Sequence, residues 1–200
     1  ARSVTVRLDK TAPAVDISSP AADTYTVGQS VAADFDCKDT GSGVATCAGT
    51  AADGSGLDTA TPGTRAFVVT AADAAGNTAQ KTVSYTVGYG VRVLYDQTAV
   101  HKRGSVIPIK LQLTDASGAN LSSPAVTLTA LGTALVSTNA SGVLEDAGSA
   151  NPDLNFRYDA PLGGYVFNLK TTGYAPGTYV LTFRVAGDPA AHAAQFRVAQ

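Results

Sequence analysis

Turn-forming residues interrupt this chain at short, regular intervals, and this spacing limits the fold more than any other feature. Gly, Asp, Asn and Pro recur about every 8–12 residues, and short stretches of alternating apolar and polar residues lie between them. In residues 106–113, for example, Ile107, Ile109, Leu111 and Leu113 occupy one face. Such alternation is typical of half-buried β-strands. The sequence therefore predicts an all-β chain composed of antiparallel β-sandwiches.

Length and composition favour two such domains in tandem. A β-sandwich domain typically contains about 100 residues, and this chain has 200. It has 20 Gly and 9 Pro, lacks Met and Trp, and contains Glu145 as its single glutamate. It is thus poor in the residues that helices favour. We place the first domain at residues 10–88 and the second at 91–200, with a short hinge at Gly88-Tyr89-Gly90.

The segment before the first domain has two interpretations. Val4, Val6 and Leu8 alternate with polar residues, and the chain then enters the linker-like stretch 9–13. Residues 1–9 are therefore either the last strand of a preceding domain or the first strand of this one. In the first case, this chain is a segment of a longer protein.

The charge balance argues against two classes of partner. The net charge is −2 and charged residues make up 15% of the chain, so the basic footprint required by nucleic acid or an anionic membrane is missing. No stretch approaches the roughly 18–20 apolar residues of a transmembrane helix. We expect neither nucleic-acid binding nor membrane insertion.

The two cysteines, Cys37 and Cys47, are close in sequence. An even number of cysteines in a β-rich chain favours a disulfide formed in an oxidising compartment. Two free, buried thiols are the alternative. A structural zinc site is excluded for this pair alone, because such a site needs four nitrogen or sulfur ligands.

Three motifs of the first domain occur together in a known class of modules. They are the entry DKTAP at 9–13, the cysteine block at 37–49 and the hairpin TAADAAGN at 70–77. In these motifs the domain resembles the immunoglobulin-like modules of secreted bacterial proteins, especially actinobacterial ones. The resemblance implies an immunoglobulin-like sandwich with a Cys37–Cys47 disulfide. It also implies that this bridge is not the inter-sheet bridge of antibody domains.

The second domain carries four further motifs. They are GSVIPIKL at 104–111, NFRYD at 155–159, YVFNL at 165–169 and GTY at 177–179. Here the chain resembles the PxKF-type domains that follow such immunoglobulin-like modules. The resemblance implies a second β-sandwich outside the cell and indicates little about activity. Proline within a strand confines Pro108 to a sheet edge or to the start of its strand.

Catalytic residues are scarce. Nucleophilic catalysis needs a histidine held by a carboxylate beside a Ser or Cys, and His101 and His192 both fall in polar, turn-like sequence. Glycoside hydrolysis needs two carboxylates in a cleft, whereas the acidic residues here are scattered among turns. We predict that this segment is not an enzyme. The prediction does not extend to the parent protein, for which a secreted hydrolase is compatible with the sequence.

A group of acidic and amide residues in the first domain raises the question of calcium. Asp34, Asp36, Asp39, Asp73 and Asn77 supply the oxygen ligands that hard cations prefer. The same residues cap turns by binding their own backbone, and this is the interpretation that we favour. We assign no metal site and no cofactor.

A sugar-binding platform is a second alternative, because sugar rings pack on exposed aromatic side chains. The candidate residues are Tyr89, Tyr95, Tyr158, Tyr165, Tyr174 and Tyr179. Most of them fall at alternating strand positions, which favours packing in the core. An isopeptide bond from Lys110 to Asn155 or Asn168 is a weaker alternative to a solvated lysine.

Together these features predict a non-catalytic, secreted or cell-surface spacer or accessory module. Its expected partners are adjacent domains of the same polypeptide. The alternative is a carbohydrate- or surface-binding module attached to a secreted hydrolase, with a polysaccharide or cell-surface ligand.

Overall fold

The computed structural model describes residues 8–136, 141–142, 145–146 and 152–200. The chain divides into two compact units, one of Ala1–Tyr25 and Gln29–Val87 and the other of Thr26–Gly28 and Gly88–Gln200. Because the described ranges begin at residue 8, most of the strand predicted at 1–9 lies outside them. In the described ranges, the chain is built from β-strands and a short 3-10 turn at Pro152–Leu154. No helix in these ranges is long and apolar enough to span a membrane.

From residue 8 to residue 88, six strands, β1 to β6, form two sheets. They are β1 (Ala14–Ser19), β2 (Thr24–Thr26), β3 (Asp34–Lys38), β4 (Val44–Gly49), β5 (Gly63–Asp73) and β6 (Thr78–Gly88). β1 pairs antiparallel with β3, and the other sheet has the order β2-β6-β5-β4. The β5–β6 hairpin turns at Gly76, whose φ of 92° suits a residue without a Cβ.

The core of the first unit lies between these two sheets. On β5, Phe67, Val69 and Ala71 are buried, whereas the residues between them are more exposed. The ring of Phe67 packs against that of Phe35 on β3, with centroids 5.8 Å apart. Tyr85 on β6 is also buried. The period-two alternation of each strand thus directs one set of side chains into a shared interior.

In the described residues of the second unit, ten strands, β7 to β16, form two further sheets. They are β7 (Gly90–Val93), β8 (Val100–Lys102), β9 (Val106–Thr114), β10 (Leu128–Leu135), β11 (Ser141–Gly142), β12 (Glu145–Asp146), β13 (Arg157–Asp159), β14 (Gly164–Lys170), β15 (Gly177–Val185) and β16 (Ala191–Ala199). One sheet has the order β11-β10-β15-β16-β8 and the other β12-β14-β9-β7, with β13 paired to β14. The all-β, β-sandwich prediction is confirmed.

The larger core belongs to the second unit. Ile107, Ile109, Leu111 and Leu113 are fully buried, as the alternation of β9 predicts. Across the sheet, Ile109 lies opposite Phe167 on β14. Aromatic residues from the strands and connecting segments of this unit fill the space between the two sheets, and these are Phe156, Tyr165, Phe167, Tyr174, Tyr179, Phe183 and Phe196. Burial of this much apolar surface supplies the main stabilising term for the unit.

Three features of the second unit differ from the sequence-based expectation. β8 runs parallel to β16, so the sheets are not entirely antiparallel. β7 and β8 were not predicted, because each is short. The stretch interpreted as a hinge is mostly strand, since β6 ends at Gly88 and β7 begins at Gly90. Pro108 lies near the start of β9, beyond the part of that strand that β7 pairs.

Candidate functional site

The disulfide joins Cys37 on β3 to Cys47 on β4, with an S–S distance of 1.98 Å and a Cα–Cα distance of 5.9 Å. These strands belong to different sheets, so the bridge connects two sheets, and it does so between strands that are consecutive in sequence. The cysteines are close in sequence because the two sheets are linked here through consecutive strands. Cys47 is exposed and Cys37 half-buried, which places the bridge at the margin of the core.

Three carboxylates meet at the loops around the β5–β6 turn. Asp9, Asp39 and Asp73 each place one oxygen within 4.8 Å of the others. Asp9 precedes β1, Asp39 follows β3 and Asp73 ends β5, so three separate parts of the chain converge. We call these three residues the acidic loop cluster. They are the described group of acidic side chains best placed to hold a hard cation.

Hydrogen bonds already use these carboxylates. Asp39 Oδ2 accepts bonds from the N–H groups of Gly41 and Gly43, at 3.1 and 2.7 Å. Asp73 accepts bonds from the backbone N–H and side-chain amide of Asn77, at 2.8 and 2.7 Å. Such contacts are typical of aspartates that organise turns. The cluster therefore stabilises several adjacent turns of the first unit through hydrogen bonds to their backbone amides.

Asp9 is the member of this cluster that the sequence analysis missed. Its carboxylate accepts bonds from Thr11 N at 3.0 Å and Ser42 N at 2.7 Å. A Cβ at Gly41 would overlap this carboxylate, so glycine is needed there for the close approach. The Asp-x-Thr signal of an aspartate-capped turn was present in the entry motif, but the contact with Ser42 is not local in sequence.

The pKa values of two cluster members reflect these bonds. The pKa of Asp9 is lowered, because the Thr11 N–H and the Ser42 side chain and N–H favour its charged form. Burial would raise the pKa of Asp73, but the hydrogen bonds from Asn77 and from the Ala75 backbone together outweigh it and lower this pKa as well.

The other calcium candidates lie elsewhere. Asp34 and Asp36 are exposed on β3, and Asp36 forms an ion pair with Lys38 at 2.9 Å. The Lys38 ammonium lowers the pKa of Asp36. Of the five predicted candidates, the structure thus brings together Asp39, Asp73 and Asn77.

Both histidines lie in strands, which corrects the expectation of turn-like surroundings. His101 is on β8 and His192 on β16. The His192 ring stacks on Phe183 with centroids 5.6 Å apart, and its Nε2 lies 2.9 Å from Asp188 Oδ2. In the described part of the chain, neither histidine is hydrogen-bonded to a serine, threonine or cysteine. The His192–Asp188 pair therefore lacks the nucleophile that a hydrolytic triad requires.

The aromatic side chains point inward. Each of the eight tyrosines and six phenylalanines is buried or half-buried, and the six platform candidates pack in or against the second core. Tyr95 and Tyr165 use their hydroxyl groups to donate to Gln195 O and Ser123 O, at 2.7 and 2.9 Å. Burial raises the pKa of both phenols. These residues therefore form no exposed stacking surface for a sugar.

The two asparagines considered with Lys110 differ in position, because Asn155 lies beside β10 whereas Asn168 lies on β14, diagonally across the β14–β9 ladder from Lys110. Lys110 is half-buried on β9 and lies opposite Val166. Asn155 lies beside β10, where the Thr129 hydroxyl donates to Asn155 Oδ1 at 2.6 Å. Asn168 lies opposite Pro108 on the β14–β9 ladder. Asn155 is thus engaged by a partner other than Lys110.

Comparison with known proteins assigns no family. No protein-family model matches the chain, and no curated protein matches it. Among solved structures it is similar to a tri-modular GH5 (subfamily 4) endo-β-1,4-glucanase from Bacillus licheniformis complexed with cellotetraose. That match has 14% identity and a TM-score of 0.37, and it covers 93% of this chain but 38% of the glucanase chain.

Two tandem-domain structures give comparable matches. A chimeric titin Z1Z2-Z1Z2 tandem has 13% identity and a TM-score of 0.35, over 94% of this chain and 100% of that one. Domains 4 and 5 of the S-layer protein SbsC have 13% identity and a TM-score of 0.29, over 95% and 98%. All three TM-scores are low, so the description as tandem immunoglobulin-like β-sandwiches rests on the strand topology given above.

Proposed function

We propose that this chain is a non-catalytic, extracellular spacer or accessory segment that positions another domain of the same polypeptide. The observation that carries the proposal is that the clustered or buried carboxylates of the described residues bind groups of the fold itself. Asp9, Asp39 and Asp73 bind turn amides, and Asp188 binds His192 and the backbone. Active sites instead keep such groups available to a substrate in a cleft.

The extracellular part of the proposal is supported by the disulfide. Such bonds persist in oxidising compartments and are rare in the cytosol. The sequence resemblance to immunoglobulin-like and PxKF-type modules of secreted bacterial proteins is in keeping with this location, and we propose that assignment with it. The disulfide and the hydrogen-bonded turns also restrict local unfolding, which suits a segment exposed to proteases.

A second candidate is a carbohydrate- or surface-binding module attached to a secreted hydrolase. The observation in its favour is a depression of about 510 Å³ on the sheet of β4, β5 and β6. It is lined by Thr46, Thr70, Ala71, Ala72, Thr78, Ala79 and Gln80. Hydroxyl and amide groups without charge suit the hydroxyl groups of a neutral sugar. The inward orientation of the aromatic residues removes the usual stacking contribution.

A domain-replacement experiment separates the two candidates. In the polypeptide that carries this segment, residues 8–200 are replaced by an unrelated tandem of two immunoglobulin domains. If the segment is a spacer, the replacement retains the activity of the neighbouring domain, whereas deletion of the segment reduces it. If the replacement is as defective as the deletion on a polysaccharide or cell-surface substrate, the spacer proposal is wrong and the binding module is favoured.

A further inference from the structure

Two neighbouring basic residues of the second unit, Lys102 and Arg103, differ from several described cations that form ion pairs. Lys38, Arg65, Lys81 and Arg157 each form an ion pair with an aspartate. Lys102 and Arg103 are exposed, and no described residue forms an ion pair with either of them. The net charge of −2 conceals this local group.

Arg197 extends the group along the neighbouring strand. In the parallel β8–β16 pair, Arg197 lies opposite Val100, and Ala199 lies opposite Lys102. Val198, which lies between Arg197 and Ala199, is buried, so Arg197 and Ala199 face the opposite, exposed side of the sheet. Lys102 lies opposite Ala199 and therefore shares this exposed face with Arg197. We call Lys102, Arg103 and Arg197 the basic corner.

Two adjacent β-turns fix the backbone of this corner. In the first, Ser105 N donates to Lys102 O at 3.1 Å, and in the second, Tyr174 N donates to Thr171 O at 3.3 Å. Thr171, which is 0% exposed, links the turns by donating from N and Oγ1 to Ser105 O, at 3.0 and 2.8 Å. Arg103 N also donates to Ala199 O on β16 at 2.9 Å. The backbone that carries the two cations is therefore held before any ligand arrives.

The two turns flank a shallow, open depression of about 500 Å³. Its lining residues are Lys102, Arg103, Gly104, Thr172, Gly173 and Gln200. The lining thus combines two cations with a hydroxyl and an amide side chain. The backbone N–H groups of Thr172 and Gly173 make no hydrogen bond to the described part of the chain and remain available as donors.

We propose that the basic corner binds the anionic groups of an acidic glycan. Lys102, Arg103 and Arg197 would pair with successive carboxylate or phosphate groups along the polymer, since Arg and Lys are the side chains best suited to such anions. The Thr172 hydroxyl and the Gln200 amide would bind sugar hydroxyl groups. This site lies apart from the depression on β4, β5 and β6, and it does not depend on the spacer proposal.

The surrounding surface favours a glycan over other polyanions. Single-stranded nucleic acid is usually held by exposed aromatic residues on which bases stack, and here each aromatic residue is buried or half-buried. Anionic membranes are typically recognised by clusters of about 4–8 Lys or Arg, a larger group than this corner. A hydroxylated polymer with spaced charges matches both the cations and the uncharged polar lining.

Affinity electrophoresis of the full chain tests the proposal. Native gels contain polygalacturonate as the carboxylate source, poly(glycerol phosphate) as the phosphate source, or neutral dextran. We expect retardation by at least one anionic polymer, none by dextran, and loss of retardation at high salt. The double variant K102Q/R103Q should weaken binding about tenfold or more. Both side chains are exposed, so thermal melting should show that the variant remains folded.

A matched variant separates the corner from overall charge. K10Q/R184Q makes the same change in net charge at two exposed positions outside the corner and should bind like the wild type. Equal weakening by both double variants, or no retardation in either anionic polymer, would refute the proposal. So would binding only to phosphatidylglycerol vesicles or only to single-stranded DNA, measured in parallel, because those results assign a membrane or nucleic-acid ligand instead.

Discussion

Asp188 Oδ2 accepts a hydrogen bond from the backbone N–H of Tyr89 at 2.8 Å, across 99 positions of sequence. The same carboxylate accepts bonds from Ala190 N at 2.8 Å and from His192 Nε2 at 2.9 Å. Its side chain is 0% exposed, and a Cβ at Gly88 would come within 2.9 Å of its Oδ1. One buried carboxylate therefore fastens the start of the second unit to the β15–β16 connection.

Replacement of this carboxylate should be costly. Asp188→Ala leaves three donors without their acceptor, and we expect a loss of about 2–4 kcal/mol in the free energy of unfolding of the second unit. Urea unfolding followed by circular dichroism measures the change. As a control, Asp96→Ala removes an exposed aspartate that caps a local turn and should cost much less. Equal losses for the two variants would contradict the assignment.

The disulfide should stabilise the first unit by restricting its unfolded state. The half-cystines are 10 positions apart, and closing such a loop contributes about 2–3 kcal/mol on the chain-entropy model. Cys47 is exposed, so dithiothreitol should reach the bridge in the folded protein. We expect the Cys37→Ser/Cys47→Ser variant and the reduced wild type to melt at the same lowered temperature in calorimetry. The transition of the second unit should not shift, and if it moves equally, the effect is not specific to the bridge.

The sequence predicted the strands with strong alternation and missed features that depend on distant contacts. The pattern of Ile107 to Leu113 identifies β9 unambiguously, because one face must be buried. β8 has three residues, too few to show an alternating pattern, and no local sequence motif indicates its parallel pairing with β16. Tyrosines at alternating positions suit either a core or an exposed strip, and only packing decides which. Asp9 joins its cluster through a contact with Ser42, 33 positions away, which no local motif encodes.

Gly49 should resist substitution for a reason of space. A Cβ at this position would lie 2.6 Å from the backbone oxygen of Ala51, 2.8 Å from Phe35 Cε1 and 2.9 Å from Phe67 Cζ. The two rings meet in the first core. We expect Gly49→Ala to lower the free energy of unfolding by about 1–3 kcal/mol through overpacking. Gly56→Ala is the matched control, because a Cβ there meets no atom within 4 Å. A neutral result at Gly49 would show that the Ala51 backbone and the two rings can shift without cost.

Acid should destabilise the first unit through Asp9. The pKa of Asp9 is lowered in the folded protein by its hydrogen bonds from Thr11 and Ser42. An aspartate in the unfolded chain has a pKa of about 3.9. The unfolded chain therefore binds protons first, and the contribution of Asp9 is complete above that pH and is lost as the pH falls through the folded pKa. Urea unfolding between pH 7 and 2 measures this loss.

The Asp9→Asn variant isolates that contribution. Its stability should vary less with pH than that of the wild type, with the difference confined to acid. Asp34→Asn serves as the control, because Asp34 is exposed on β3 and no hydrogen bond joins its carboxylate to a described residue. If the two variants give the same pH profile, the bonds to Asp9 do not contribute to acid stability.

The acidic loop cluster gives a prediction about metal that can be tested directly. Asp9, Asp39 and Asp73 lie close enough to share a cation, but backbone and side-chain N–H groups already donate to each carboxylate. These donors offset the mutual repulsion of the three charges without an ion. We therefore expect the melting temperature of the first unit to be the same in EDTA as in millimolar calcium. A rise with calcium that disappears in Asp39→Asn but persists in Asp34→Asn would contradict this expectation and assign the cluster as a calcium site.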